Sequence, residues 1–125
     1  MMFSRRWCMK PTIKVWPVPR LTEDQLKALF LSIVQTCMEF KQLHVQNEND
    51  IIVGFPQDAM EFGLGVDLVV EIGIPRCLVL LREEPIYPEI AVEIGLTIKE
   101  FFRRHGYTPS VQCEYHLTHG TILDD

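Results

Sequence analysis

Residues 51–74, IIVGFPQDAMEFGLGVDLVVEIGI, decide the fold. This stretch begins with a short apolar strand, 51–55, and ends with a longer strand, 66–74, whose apolar residues recur at every second position. The loop between them, 56–65, is longer than the roughly two to five residues that join a hairpin. A long loop held between rigid strands often carries a functional site, so we expect one here.

A strand and a helix precede this stretch. Residues 12–15 alternate as a short strand, with Ile13 and Val15 on one face. Thr22 followed by Gln25 predicts a capping box, and the helix that it starts should run to about residue 40. The chain therefore begins its globular part with a strand-helix-strand order.

The same order follows the loop. A second helix is predicted from near Pro88, a residue suited to the first helical turn, to a C-terminal cap at Gly106. Residues 111–117 alternate as a last strand, and residues 77–81 are a candidate for one more. Each half is therefore predicted to be one β-α-β unit.

Two such units predict an α/β domain with a four-stranded mixed sheet and both helices on one face. Each unit should be a parallel strand pair joined by a right-handed crossover. The other face carries Val69 and Ile52 among Asp67 and Glu71, so it should pack against another subunit. A ferredoxin-like domain has the same element order, and the strand order would distinguish the two.

Charge divides the chain into three parts. Residues 1–10 are a basic leader that we expect to be disordered, residues 11–118 form the domain, and residues 119–125 are a polar tail. Although the net charge is −5, residues 1–20 contain no acid. The acidic remainder argues against nucleic-acid binding, and the absence of a long apolar run argues against membrane spanning.

The residues that could bind a metal or a cofactor are few. The spacing of Cys113, His116 and His119 has the ligand types of zinc, but residues three apart on a strand point to opposite faces. Asp58 and Glu61 in the loop are expected to be solvated. We predict no metal and no cofactor. The four scattered cysteines predict reduced thiols and a cytoplasmic protein.

Several motifs give the chain a family resemblance. Pro56, Met60, Phe62 and Gly63 match a Pro-x-x-x-Met-x-Phe-Gly loop, and Phe62 opens a Phe-Gly-x-Gly run. The segment 11–15, PTIKV, and the segment 18–20, VPR, match the start of the same family. On these motifs the chain resembles a divergent branch of the tautomerase superfamily, which includes 4-oxalocrotonate tautomerase and macrophage migration inhibitory factor.

The resemblance implies a homotrimer with sites between its subunits. It also implies a keto-enol tautomerase or isomerase that acts on a small keto acid, with an amino-terminal proline as the base. Pro11 matches that proline, Arg20 matches an arginine that binds the substrate carboxylate, and Phe62 matches the apolar wall of the pocket. An ungapped count back from Arg20 places Lys10 at the first position instead.

Other positions depart from the family pattern. A second substrate-binding arginine falls on Ile51, and a tyrosine and an asparagine of the last strand fall on Gln112 and Glu114, with Tyr115 one step away. Glu114 would repel an acidic substrate.

Two functional hypotheses therefore stay open. Because the nitrogen of Pro11 belongs to the Lys10–Pro11 amide, catalysis would require a cut at that bond. The alternative is a non-catalytic trimeric module that binds or assembles.

Overall fold

The computed structural model describes residues 10–19, 21–56, 67–76 and 87–118. Most of the loop 56–65, including Phe62, lies outside the described residues, as do Arg20, the candidate strand 77–81 and the last seven residues. The elements are β1 (Thr12–Trp16), α1 (Glu23–Met38), two 3₁₀ turns (Lys41–Leu43 and Glu48–Asp50), β2 (Ile52–Gly54), β3 (Leu68–Pro75), α2 (Tyr87–Arg104) and β4 (Val111–Thr118).

The four strands form one mixed sheet in the order β2-β1-β3-β4. β1 pairs with β2 and β3 pairs with β4 in parallel, while β1 and β3 pair antiparallel at the centre. Each helix therefore connects two neighbouring parallel strands. This arrangement confirms the predicted pair of β-α-β units.

The start of α1 and the end of α2 lie at the residues that the local chemistry favours. Gln25 N donates to Thr22 Oγ1 at 3.1 Å, and Thr22 N donates to Gln25 Oε1 at 2.8 Å, which completes the predicted capping box. At the end of α2, Gly106 adopts a φ of 87°, where a side chain would be strained. Tyr107 N then donates to Phe102 O at 2.9 Å.

One face of the sheet packs against the two helices. The inward residues of the central strands, such as Ile13 and Ile72, are almost completely buried. One face of each helix packs against them. It contributes the following buried residues: Leu29, Ile33, Val34 and Cys37 from α1, and Ile90, Ile94, Ile98, Phe101 and Phe102 from α2. The hydroxyls of Thr36 and Thr97 join the helices at 2.7 Å.

The opposite face, which we call the open face, is less apolar than the sequence suggested. Ile52 is 56% exposed there, but Val69 is only 6% exposed within the single chain. Trp16 is directly opposite Val69 in the register and reaches along the strand to Glu71. Among the described residues, the exposed apolar part of this face is at Ile52 of β2.

Candidate functional site at the Pro11 end of the sheet

Pro11 directly precedes the central strand β1. It is buried, while Lys10 before it is exposed. Its carbonyl oxygen accepts a hydrogen bond from Ile52 N at 3.0 Å, which extends the pairing of β1 with β2. Its nitrogen belongs to the Lys10–Pro11 peptide bond, and an amide nitrogen is planar and has no basic lone pair.

Three side chains close over Gly73 on the open face, one row from Pro11. In the register, Gly73 lies between Thr12 of β1 and His116 of β4. A Cβ on Gly73 would collide with Thr12 Oγ1, and it would lie 3.0 Å from Thr118 Cγ2 and 3.6 Å from His116 Nε2. We call these four residues the Gly73 cluster.

The Gly73 cluster contains an unused hydrogen-bonding group. Thr118 Oγ1 is buried and has no hydrogen-bond partner among the residues that the structure describes. Leaving such a group unpaired costs about 1–3 kcal/mol. The hydroxyl is therefore suited to bind a group from a ligand or from a neighbouring subunit.

The next row of the open face is charged. Lys14, Glu71 and Glu114 are aligned across three strands. Trp16 Nε1 donates to Glu71 Oε2 at 2.6 Å, which fixes the orientation of that carboxylate. This row therefore carries two carboxylates and one ammonium group.

Within one chain the predicted site residues do not all meet. Glu114 is exposed on the open face, two strands away from β1 and three residues further along the strands than Pro11, or about 10 Å in the strand direction. Tyr115 projects to the helix face, where its ring lies 6.2 Å from that of Tyr87. Lys10 is beside Pro11 in the chain but exposed.

Sequence reasoning missed the Gly73 cluster. A signal for it was present, because the strand carries a glycine between Ile72 and Ile74. Such a glycine often marks a close approach of neighbouring groups. Its partners on β1 and β4 depend on the register, which the sequence does not give.

The described cysteines are held as neutral thiols. Burial raises the pKa of Cys37 to about 12 and is also the main cause that raises the pKa of Cys113 to about 11. Cys113 Sγ donates to Ala91 O at 2.9 Å on the helix face, whereas His116 lies on the open face. Among the described residues, no group of three or more potential ligands could hold a metal ion.

A concave region lies at the end of the sheet opposite Pro11. It is a groove of about 450 Å³ beside Pro17, Pro19, Tyr107 and Pro109. Asp67, the one carboxylate among the described residues that line it, already accepts a hydrogen bond from Ser110 N at 3.0 Å. The groove therefore offers mostly apolar contacts, and it is remote from Pro11.

Comparison with known proteins identifies the fold. No protein-family model matches the chain, and no curated protein matches it significantly. Solved structures do match. The MIF2 protein of Leishmania major superposes with a TM-score of 0.62 at 14% identity, over 89% of this chain and 90% of that one.

Two further solved structures have the same fold as this chain. The macrophage migration inhibitory factor of Toxoplasma gondii has a TM-score of 0.52 at 18% identity, over 90% of each chain. A 5-carboxymethyl-2-hydroxymuconate delta-isomerase has a TM-score of 0.53 at 9% identity, over 94% of this chain and 87% of that one. The chain therefore has the same fold as these structures, which confirms the fold that the family resemblance implied. Among the described helices, none has the length and apolar character needed to cross a membrane.

Proposed function

We propose that this chain, with its Lys10–Pro11 bond intact, is a non-catalytic, trimeric binding module built on the tautomerase fold. The observation that carries this proposal is the state of Pro11. Its nitrogen is acylated and its carbonyl is hydrogen-bonded to Ile52 in the sheet. A proline held in this way begins a strand and cannot accept a proton from a substrate.

Assembly is supported by the edge strand β4. Its eight residues are mostly exposed, and its outer edge pairs with no other strand in the described part of the chain. A long unpaired edge is a template for pairing with another chain. At the opposite edge, exposed Ile52 supplies apolar surface for the same purpose. The proposed trimer covers both edges.

The Gly73 cluster is the proposed binding site. The hydroxyl of Thr118 and the imidazole of His116 can hydrogen-bond a small polar ligand such as a carbonyl compound. Glu71 and Glu114 in the next row favour a ligand without a negative charge.

A second candidate function is favoured by the place of Pro11 in the fold. Pro11 leads into a central strand, and the fold is shared with a solved delta-isomerase. If the Lys10–Pro11 bond were cut, the free secondary amine could remove a proton next to a keto group. In this cytoplasmic tautomerase, Arg20 would bind the carboxylate of a small keto acid and Phe62 would wall the pocket.

One assay separates the two functions. Tautomerisation of phenylpyruvate is measured with the full chain, with a chain prepared to begin at Pro11, and with the Pro11→Ala variant of the shorter chain. We expect the full chain to be no faster than the alanine variant. Activity of the full chain well above that control would overturn the binding-module proposal. Activity of the shorter chain alone would support the tautomerase.

Assembly is tested separately by native mass spectrometry. The expected species has about three times the chain mass of 14.5 kDa. A single-chain mass at micromolar concentration would contradict the trimer.

A further inference from the structure

An apolar groove with an acidic rim lies on the helix face, away from the Gly73 cluster. It occupies about 490 Å³ between the end of α1 and the start of α2, beside Phe40, Pro88 and Val92. Val92 is 56% exposed, whereas Ala91 beside it is buried. The groove is on the side of the sheet opposite the open face.

The rim of this groove carries two unneutralised carboxylates. Glu89 and Glu93 are one turn apart on α2, and both are exposed. Neither has a basic partner among the described residues. The charges of Glu39 and Lys41, on either side of Phe40, cancel each other. The groove therefore fits a segment that combines aromatic side chains with positive charge.

The groove opens at the end of the molecule where the leader joins the domain. β1 starts at this end, and β3, which is antiparallel to β1, finishes here before the chain enters α2. α1 returns to the same end before β2 begins beside Pro11. The leader is thus attached to the sheet, and the groove is in the helix layer that packs on it. Packed layers are about 10 Å apart.

The first nine residues of the leader have the composition that the groove requires. Residues 1–9, MMFSRRWCM, contain no acid, two arginines and two aromatic residues. Nine residues reach at most about 30 Å when extended, which exceeds the distance between adjacent layers.

We propose that residues 1–9 dock in cis into this groove. Trp7 packs against Phe40 and Val92, and Arg5 and Arg6 pair with Glu89 and Glu93. This inference goes beyond the proposed function, because it does not depend on a trimer or on the chemistry of Pro11.

Disulfide trapping tests the position of the leader. The Val92→Cys variant places a new thiol in the groove, where it can form a disulfide with Cys8, the neighbour of Trp7. The matched control is Leu31→Cys, which places a thiol at an exposed site on α1. Both variants carry Cys77→Ser. Under mild oxidation we expect the intrachain disulfide to form at least about tenfold faster at position 92 than at position 31, because proximity raises the effective concentration. Equal rates, or a product that links two chains, would overturn docking in cis.

Proteolysis tests the charge pairing without new cysteines. Trypsin cleavage after Arg5 and Arg6 should be roughly two- to tenfold faster in the Glu89→Gln/Glu93→Gln variant than in the parent, because exposed ion pairs are weak but additive. The control Glu48→Gln removes an exposed carboxylate elsewhere and should leave the rate unchanged. The same cleavage rate in all three proteins would contradict the proposal.

Discussion

The two β-α-β halves share one topology but differ in how much sheet they contain. In the first half, β1 and β2 have five and three residues and are joined by three register pairs. In the second half, β3 and β4 each have eight residues and are paired along their whole length. The second half is therefore held together by its own long ladder. The first half has only a short ladder, so its strands depend for stability on the pairing of β1 with β3.

This difference suggests separate roles for the halves. The short edge strand β2 offers little backbone to another chain, while β4 offers eight residues. The Gly73 cluster also takes three of its four residues from the second half. The second half therefore carries most of the candidate site and the longer unpaired edge.

Replacing the central aromatic residue of the second half should have the largest effect. Phe102 is completely buried and makes edge contacts with Phe101 and Tyr107. Phe102→Ala should lower the free energy of unfolding by about 3–5 kcal/mol, measured by urea denaturation. Leu29→Ala in the first half is the counterpart, expected to cost about 2–5 kcal/mol. A loss below about 1 kcal/mol for Phe102→Ala would mean that the second half does not anchor the core.

A pair of glycines on the open face gives the sharpest comparison of the halves. Gly73→Ala should destabilise the protein by about 1–3 kcal/mol because its Cβ would collide with Thr12. Gly54→Ala in β2 has open space around its Cβ and should be neutral or slightly stabilising. Urea denaturation of both variants checks this. Equal changes in the free energy of unfolding for both variants would show that the side chains around Gly73 leave room for a Cβ.

The capping box of α1 should contribute a smaller amount in the first half. Thr22→Ala removes the acceptor for Gln25 N and should cost about 1 kcal/mol. Thr22→Ser keeps the hydroxyl and is the matched control. Thermal unfolding of the two variants measures the difference, and equal midpoints would show that the first half does not rely on its cap.

Alkaline pH should reveal the buried thiol of the first half. Burial raises the pKa of Cys37 from its ordinary value of 9.0 to about 12, so the folded chain holds this proton more tightly than the unfolded chain. The resulting stabilisation is complete below pH 9 and is lost as pH rises towards 12. Unfolding free energies measured against pH should therefore fall less steeply in Cys37→Ala than in the parent. Parallel profiles would show that Cys37 titrates normally.

Much of the fold could be predicted because local chemistry determines it. Thr22 with Gln25 located the start of α1, Gly106 located the end of α2, and period-two alternation placed Ile13 and Val15 in the core. Element ends were less accurate. The first helix ends at Met38 because Phe40 is already extended, and β2 is shorter than residues 51–55 suggested.

The candidate site was less predictable because it depends on register and on assembly. Alternation implies that Glu114 and Tyr115 point to opposite faces, but the sequence does not reveal which residues lie beside them. The Gly73 cluster joins Thr12 to His116 across three strands. Arg20 and Phe62 remain predictions, since both lie outside the described residues.

The hydrogen bond from Trp16 to Glu71 spans the junction between the two halves. It joins residues that are far apart in the chain, so it can form only after the long intervening segment has closed. Closing such distant pairs slows folding. Because an indole reports on its surroundings, Trp16 is a built-in optical probe of the moment when two locally folded units become one sheet.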